Sequence, residues 1–158
     1  MVGNKNQVIQ AIPQEKEVEE IRQFIKIRLG KESYGIPIEE TREVTRPIHI
    51  TNIPGTASHI MGLMNLHGEI LCVVDVKIIL NMGKMIPTEN SRIVVIKTME
   101  GPVGAFCDEV IGIYDTLRKD IEAPFSTSSN EIVGYINGQV QTCDGLMGIL
   151  DIKRLLFK

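Results

Sequence analysis

His67 and Cys72 are the first two residues in this chain whose side chains could do chemistry together, an imidazole base five positions before a thiol. A nucleophilic cysteine needs its base within hydrogen-bond reach. His67 is followed by Gly68 and falls in a turn, whereas Cys72 lies inside the apolar run "EILCVVD" (69–75), between Leu71 and Val73. Strand alternation puts Ile70, Cys72 and Val74 on one face, expected to point inward, where a free cysteine behaves as a small hydrophobe. Nothing in this spacing assembles a catalytic constellation, and no catalytic residue is expected. The histidines His49, His59 and His67 are ten and eight residues apart. Zinc sites use an i, i+4 helical pair or tight Cys/His clusters, so no metal site is expected. His49, between Ile48 and Ile50, reads as the outward residue of a strand.

The carboxylates have structural employment. Asp75 and Asp151 open the short apolar segments "DVKIILNM" and "DIKRLLFK", where an Asp side chain caps the free amides of a first helical turn. Glu39-Glu40 and Asp108-Glu109 follow strands and are expected on the surface. There is no Gly-Lys-Ser/Thr phosphate loop and no G-x-G-x-x-G after a strand, so no nucleotide cofactor is expected. Seventeen basic residues against 20 acidic give a net charge of −3. Without a basic block, nucleic acid is not the expected partner. No apolar run reaches the roughly 18 residues that cross a bilayer, so direct membrane insertion is not expected. Residues 1–21 are polar, lack the apolar core of a secretory signal and are expected to form a flexible tail ahead of a folded domain at 22–158. Three cysteines, Cys72, Cys107 and Cys143, with no C-x-x-C spacing, suit free thiols in a cytoplasmic protein.

The elements that would position these groups are mostly strands. Hydrophobic residues make up 43% of the chain, without tryptophan, so the core must be aliphatic. In "QFIKIRL", Ile25, Ile27 and Leu29 alternate with Lys26 and Arg28, a period of two that marks a strand. Further β-rich runs are "YGIPI", "EILCVVD" (69–75), "RIVVIK" (92–97), "VGAFC" (103–107), "VIGIY" (110–114), "EIVGYI" (131–136) and "GLMGIL" (145–150), separated by Gly, Pro and Asn. Short helices are expected after Asp75 and Asp151.

Those two aspartates also reveal a repeat. At an offset of 76 residues, Ile60-x-Gly62 falls on Ile136-x-Gly138, Val73-Val74 on Ile149-Leu150, and Leu80 on Leu156. Upstream, "FIKIRLGKESYGIPI…EV" matches "IVVIKTMEGPVGAFCDEV", both closing on Glu-Val at Glu43-Val44 and Glu109-Val110. Each half, of about 60 residues, repeats one supersecondary unit, implying two similar subdomains. About five short strands per half suit a small closed barrel that hides its strand edges. The expected fold is mostly β: two five-stranded barrels, near 22–82 and 91–158, with strands free to cross between them. Several apolar residues, among them Val44, Ile48, Ile53, Ile60, Leu63 and Met64, exceed what one small core can bury and point to a binding surface.

The stretch from Gly62 to Val76, "GLMNLHGEILCVVDV", resembles the hallmark of the chemotaxis coupling-protein family (CheW-like domains), G-aliphatic-aliphatic-N-L-R-G-x-I-x-P-V-x-D-L. "YGIPI…EV", "ITNIPG", "VGAFCDEV" and "ILDIKRLL" follow in the family's order, so the resemblance spans about Gln23 to Phe157. It implies two SH3-like five-stranded barrels. It also implies a non-catalytic adaptor that joins the cytoplasmic tips of chemoreceptors to the regulatory domain of a sensor histidine kinase in arrays under the membrane. By the same resemblance Glu43, Val44, Gly62, Asn65, Leu66 and the His67-Gly68 turn belong to a receptor-facing groove or its rim. Apolar residues of the first barrel would grip the kinase, and Phe125 in "IEAPFST" would anchor a second contact. Two other readings stay open: a CheW-like scaffold in a non-chemotactic pathway, and a small Cys/His enzyme. The chain departs from the hallmark twice, with His67 in place of Arg and Cys72 in place of Pro. Arg is permanently charged with five donors, whereas neutral His has one, so receptor coupling is expected to be retuned with the fold retained.

Overall fold

A computed structural model describes residues 19–124 and 134–157. The strands are β1 (Ile21–Leu29), β2 (Glu32–Pro37), β3 (Thr41–Thr45), β4 (Ile50–Thr51), β5 (Ile60–Leu66), β6 (Glu69–Asp75), β7 (Arg92–Ile96), β8 (Val103–Cys107), β9 (Glu109–Leu117), β10 (Ile136–Thr142) and β11 (Gly145–Leu150). Helix α1 (Val76–Ile79) follows β6 and helix α2 (Ile152–Leu156) follows β11. The expected strand at 131–136 lies partly outside the described residues; Ile136 instead begins β10, whose alternating Asn137, Gln139 and Gln141 conceal it as a polar stretch.

Two sheets form, in the orders β10-β11-β2-β1-β9 and β3-β7-β8-β6-β5-β4. Neither sheet is built from one contiguous half of the chain. The hairpin that opens each half, β1–β2 or β7–β8, crosses into the sheet of the other half. There β2 runs parallel to β11 and β8 runs parallel to β6. The arrangement is reciprocal, so the internal repeat is a swap of hairpins about a pseudo-twofold axis. Repeat-related details coincide down to single hydrogen bonds. The N–H of Asp75 donates to the carbonyl of His59 at 2.7 Å, and the N–H of Asp151 donates to that of Tyr135 at 2.7 Å. Register shifts fall at Ile60/Gly62 and at Ile136/Gly138.

Each sheet rolls because consecutive segments reach its opposite edges. β3 lies at one edge of its sheet and β4, next in the chain, pairs with β5 at the other. In the other sheet the chain leaves the edge strand β9, and Glu122 then exchanges backbone hydrogen bonds of 2.9 and 3.0 Å with Gln139 of β10, the far edge. Rolling leaves few open edges.

The swap decides what β1 buries. Ile25, Ile27 and Leu29 join a cluster with Val73, Val95 and Phe106 across the seam between the sheets, while Phe24 faces Val140, Met147 and Ile149 inside the second roll. Both faces of β1 are therefore covered. Lys26, although basic, is only 6% exposed. Its aliphatic stem runs through the interior and its ammonium emerges beside Asp144 in the β10–β11 turn, 2.7 Å from Oδ1. The ammonium also sits 5.6 Å from the centre of the Tyr114 ring.

The Lys26 ammonium and the Thr142 hydroxyl, both hydrogen-bonded to Asp144, pull its carboxyl from the ordinary 3.8 down to about 2. A carboxyl depressed by folding stabilises the fold fully above its unfolded pKa, and that share disappears as pH falls through the folded value. Asp144→Asn is therefore expected to lower the melting temperature at neutral pH, with the deficit shrinking between about pH 4 and pH 2. Thermal melts of both proteins across that range check it; a deficit independent of pH would contradict the assignment.

Candidate functional site

β5 and β6 are joined by a two-residue turn, His67 at φ 54° and Gly68 at φ 82°. Two successive positive φ values match the twist of a right-handed hairpin, and glycine takes the second without a Cβ clash. The Asn65 side chain locks the turn by accepting the Gly68 N–H at 3.0 Å. His67 remains at the tip with its side chain 73% exposed.

Because the sheet rolls, the edge strand β3 swings over this turn. Glu43 Oε1 lies 3.1 Å from His67 Nε2, and Glu43 Oε2 lies 3.4 Å from Nε of Arg42. Arg42 donates from Nη1 to Glu69 Oε1 at 2.6 Å, at the first residue of β6. Glu69, Arg42, Glu43 and His67 thus form a chain of polar contacts, acid, base, acid and imidazole, that ties β3 to the hairpin. Arg42 and Glu69 escaped the sequence reading because they are 27 residues apart and only the roll joins them. Val44, 39% exposed, sits next to this chain on β3.

Other expected site residues are placed differently. Leu66 is 2% exposed and packs into the core, so it holds the turn from beneath and presents no side chain to a partner. Gly62 is buried against β4: a Cβ there would lie 2.1 Å from the Thr51 carbonyl oxygen. Phe125 lies outside the described residues. The expected inward face of β6 is corrected too. Leu71 and Val73 point inward at 1% and 0% exposure, whereas Ile70 is 59% exposed and Cys72 half-buried. The run is apolar on both faces, so alternation alone could not give its phase. The register decides, pairing Leu71 with buried Met64 and Ile70 with exposed Asn65. Outward on this face, Ile48, His49, Thr51, Leu63, Asn65 and Ile70 line a shallow groove of about 350 Å³ beside the turn.

Cys72 and Cys107 are poorly suited to nucleophilic work. Burial raises the pKa of Cys72, and burial, with the nearby Asp108 carboxylate adding to it, pushes that of Cys107 up to about 12. Reactive cysteines need the opposite shift. Among the described residues no group of three His, Cys, Asp or Glu could hold a metal ion, and no helix is long and apolar enough to cross a membrane.

The model of the CheW-like domain matches residues 23–158, from within β1 through α2. The chain belongs to the CheW-like domain family. It is similar to the chemotaxis protein CheW of Helicobacter pylori, 28% identical over 141 residues that cover 89% of this chain and 84% of that protein. It is also similar to the chemotaxis protein CheW of Bacillus subtilis, 26% identical over 129 residues with 82% of each chain covered. Among solved structures, the scaffolding protein TtCheW from Thermoanaerobacter tengcongensis superposes with a TM-score of 0.78 at 27% identity, covering 88% of this chain and 90% of that one. In this CheW-like domain, the Glu43–His67 contact and the groove beside it lie on the outer surface of the six-stranded sheet.

Proposed function

We propose that this CheW-like domain is a non-catalytic adaptor that couples the cytoplasmic tips of chemoreceptors to the regulatory domain of a sensor histidine kinase. Its place is the cytoplasm, at membrane-bound receptor arrays. The observation that carries the reading is the surface at the β5–β6 turn, a fixed hairpin tip with an ion-paired rim beside an apolar groove. The thiols of Cys72 and Cys107, raised by burial, speak against an enzyme built on either of them, since the thiolate is the nucleophile.

In this reading Glu43, Val44, Asn65, His67 and Gly68 form the receptor-facing rim. Gly62 and Leu66 act from inside, fixing the strands that present it. The groove of Ile48, Leu63 and Ile70 receives apolar side chains of the kinase regulatory domain, because exposed apolar residues clustered on one face mark interaction surfaces. Signal passes through such a bridge only by differential affinity for the partners' states.

Co-sedimentation with receptor-tip fragments and with the kinase regulatory domain, separately and together, tests the reading. Binding to both is expected, and Ile70→Asp is expected to cost kinase binding more than tenfold while leaving receptor binding intact. Failure to bind either partner would overturn the adaptor.

A further inference from the structure

Glu43 is a carboxylate and therefore only accepts hydrogen bonds. Its Oε1 lies 3.1 Å from Nε2 of His67, so the nitrogen facing it must carry a hydrogen. We propose that Glu43 locks neutral His67 as the Nε2–H tautomer, so that the turn offers its partner an acceptor, Nδ1, which protonation converts into a donor. This rests on the reading of the turn as partner-facing and goes beyond it by naming the chemistry of the partner group. That group is a hydrogen-bond donor: an ammonium, a guanidinium or an amide N–H.

The geometry supports each step. Among the described residues His67 makes its polar contact through Nε2 alone, and its side chain is 73% exposed, so Nδ1 is left open. Among the described residues the charged groups linked to the turn are Glu43 and Arg42 from β3 and Glu69 from β6; the polar Asn65 of β5 is engaged with the Gly68 N–H. Arg42 sits between two carboxylates and holds Glu43 in place with its second oxygen. Two acids and one permanent base leave the rim one negative charge while His67 is neutral. Protonating His67 balances the rim and removes the exposed acceptor in one step. An Arg at the same position would be balanced at every pH and would present donors only.

Two measurements on the full chain test this. Long-range proton–nitrogen NMR at about pH 8 reads the tautomer of neutral His67 directly and needs no partner. The Nε2–H form is expected to predominate, with Glu43→Gln reducing its share. A predominant Nδ1–H form, or a share that ignores Glu43→Gln, would overturn the lock. Binding of a receptor-tip fragment, compared between about pH 8 and pH 6, is expected to weaken about fivefold on acidification, with His67→Gln and His67→Arg flat across the range. Wild-type binding that parallels both variants, or strengthens in acid, would overturn the assignment of a donor partner. A fragment that binds at neither pH would count against the adaptor reading, while the NMR result would still decide the lock.

Discussion

Gly62→Ala is expected to destabilise the domain by about 4 kcal/mol. Gly62 sits at φ +145°, where an L side chain is strained, and its missing Cβ is where the Thr51 carbonyl approaches: the added atom would lie 2.1 Å from that oxygen and 2.7 Å from its carbon. Backbone cannot step aside as a flexible side chain can. β4 has only two residues, and its pairing with β5 is what brings the chain back to the far edge of the rolled sheet. Relief of the clash must therefore detach β4 or shift β5, and either disturbs the hairpin that carries His67. At roughly 3 °C per kcal/mol, the melting temperature should fall by about 12 °C.

The repeat supplies an internal control for that result. Gly138 occupies the equivalent bulge, yet a Cβ there would meet the side chain of Ile121 at 3.0 Å and that of Ile149 at 3.4 Å, with the Glu122 carbonyl at 3.5 Å. Side-chain ends give by a few tenths of an ångström. Gly138→Ala, at a glycine without a positive φ, is accordingly expected to cost about 1 kcal/mol, and thermal melts of the two variants side by side would separate the collision and strained φ at Gly62 from generic loss of a glycine. Equal losses would show that the approach of Thr51 does not govern Gly62.

That contrast also marks where the sequence was legible. The repeat, both aspartate-opened helices and the two-residue turn at His67 could be read directly, because each depends on neighbours in the chain. The offset of 76 residues places Gly62 and Gly138 in one structural role. Alternation, by comparison, reports two faces of a strand and not which lies inside. β6 is apolar on both faces, so its phase was misjudged at Ile70 and Cys72. Alternation is equally silent on the burial of Lys26: a long side chain can cross an apolar interior and deliver its charge at the far side, to Asp144 118 residues away. The swap of hairpins was equally hidden. A β1–β2 hairpin has the same period of two whichever sheet receives it, and the Arg42–Glu69 contact exists only once that sheet has rolled.

Asp75→Ala is expected to cost about 3 kcal/mol, against about 1 kcal/mol for Asp151→Ala, although the two residues share one place in the repeat. Both cap a helix: Asp75 Oδ1 accepts the N–H of Ile78 and Asp151 Oδ1 accepts that of Arg154, each at 3.2 Å. Asp75 does more. It is 1% exposed, and its Oδ2 accepts the N–H of Met85 at 2.8 Å in a buried setting. One carboxylate therefore ties the end of β6, the start of α1 and the loop that returns toward β7. Alanine would leave a buried backbone donor without its acceptor, a penalty beyond the loss of a cap. Nearby Met85 and Leu80 are buried in the central cluster, so release of this loop would also open the seam between the sheets. Asp75→Asn separates the contributions, since its single carbonyl oxygen can serve only one of the two sites well. Its loss of stability should fall between wild type and Asp75→Ala, and hydrogen exchange should show the Met85 or the Ile78 amide exposed, but not both. An Asp75→Ala protein as stable as Asp151→Ala would mean that the Met85 contact contributes nothing, and that the two halves are held by equivalent caps.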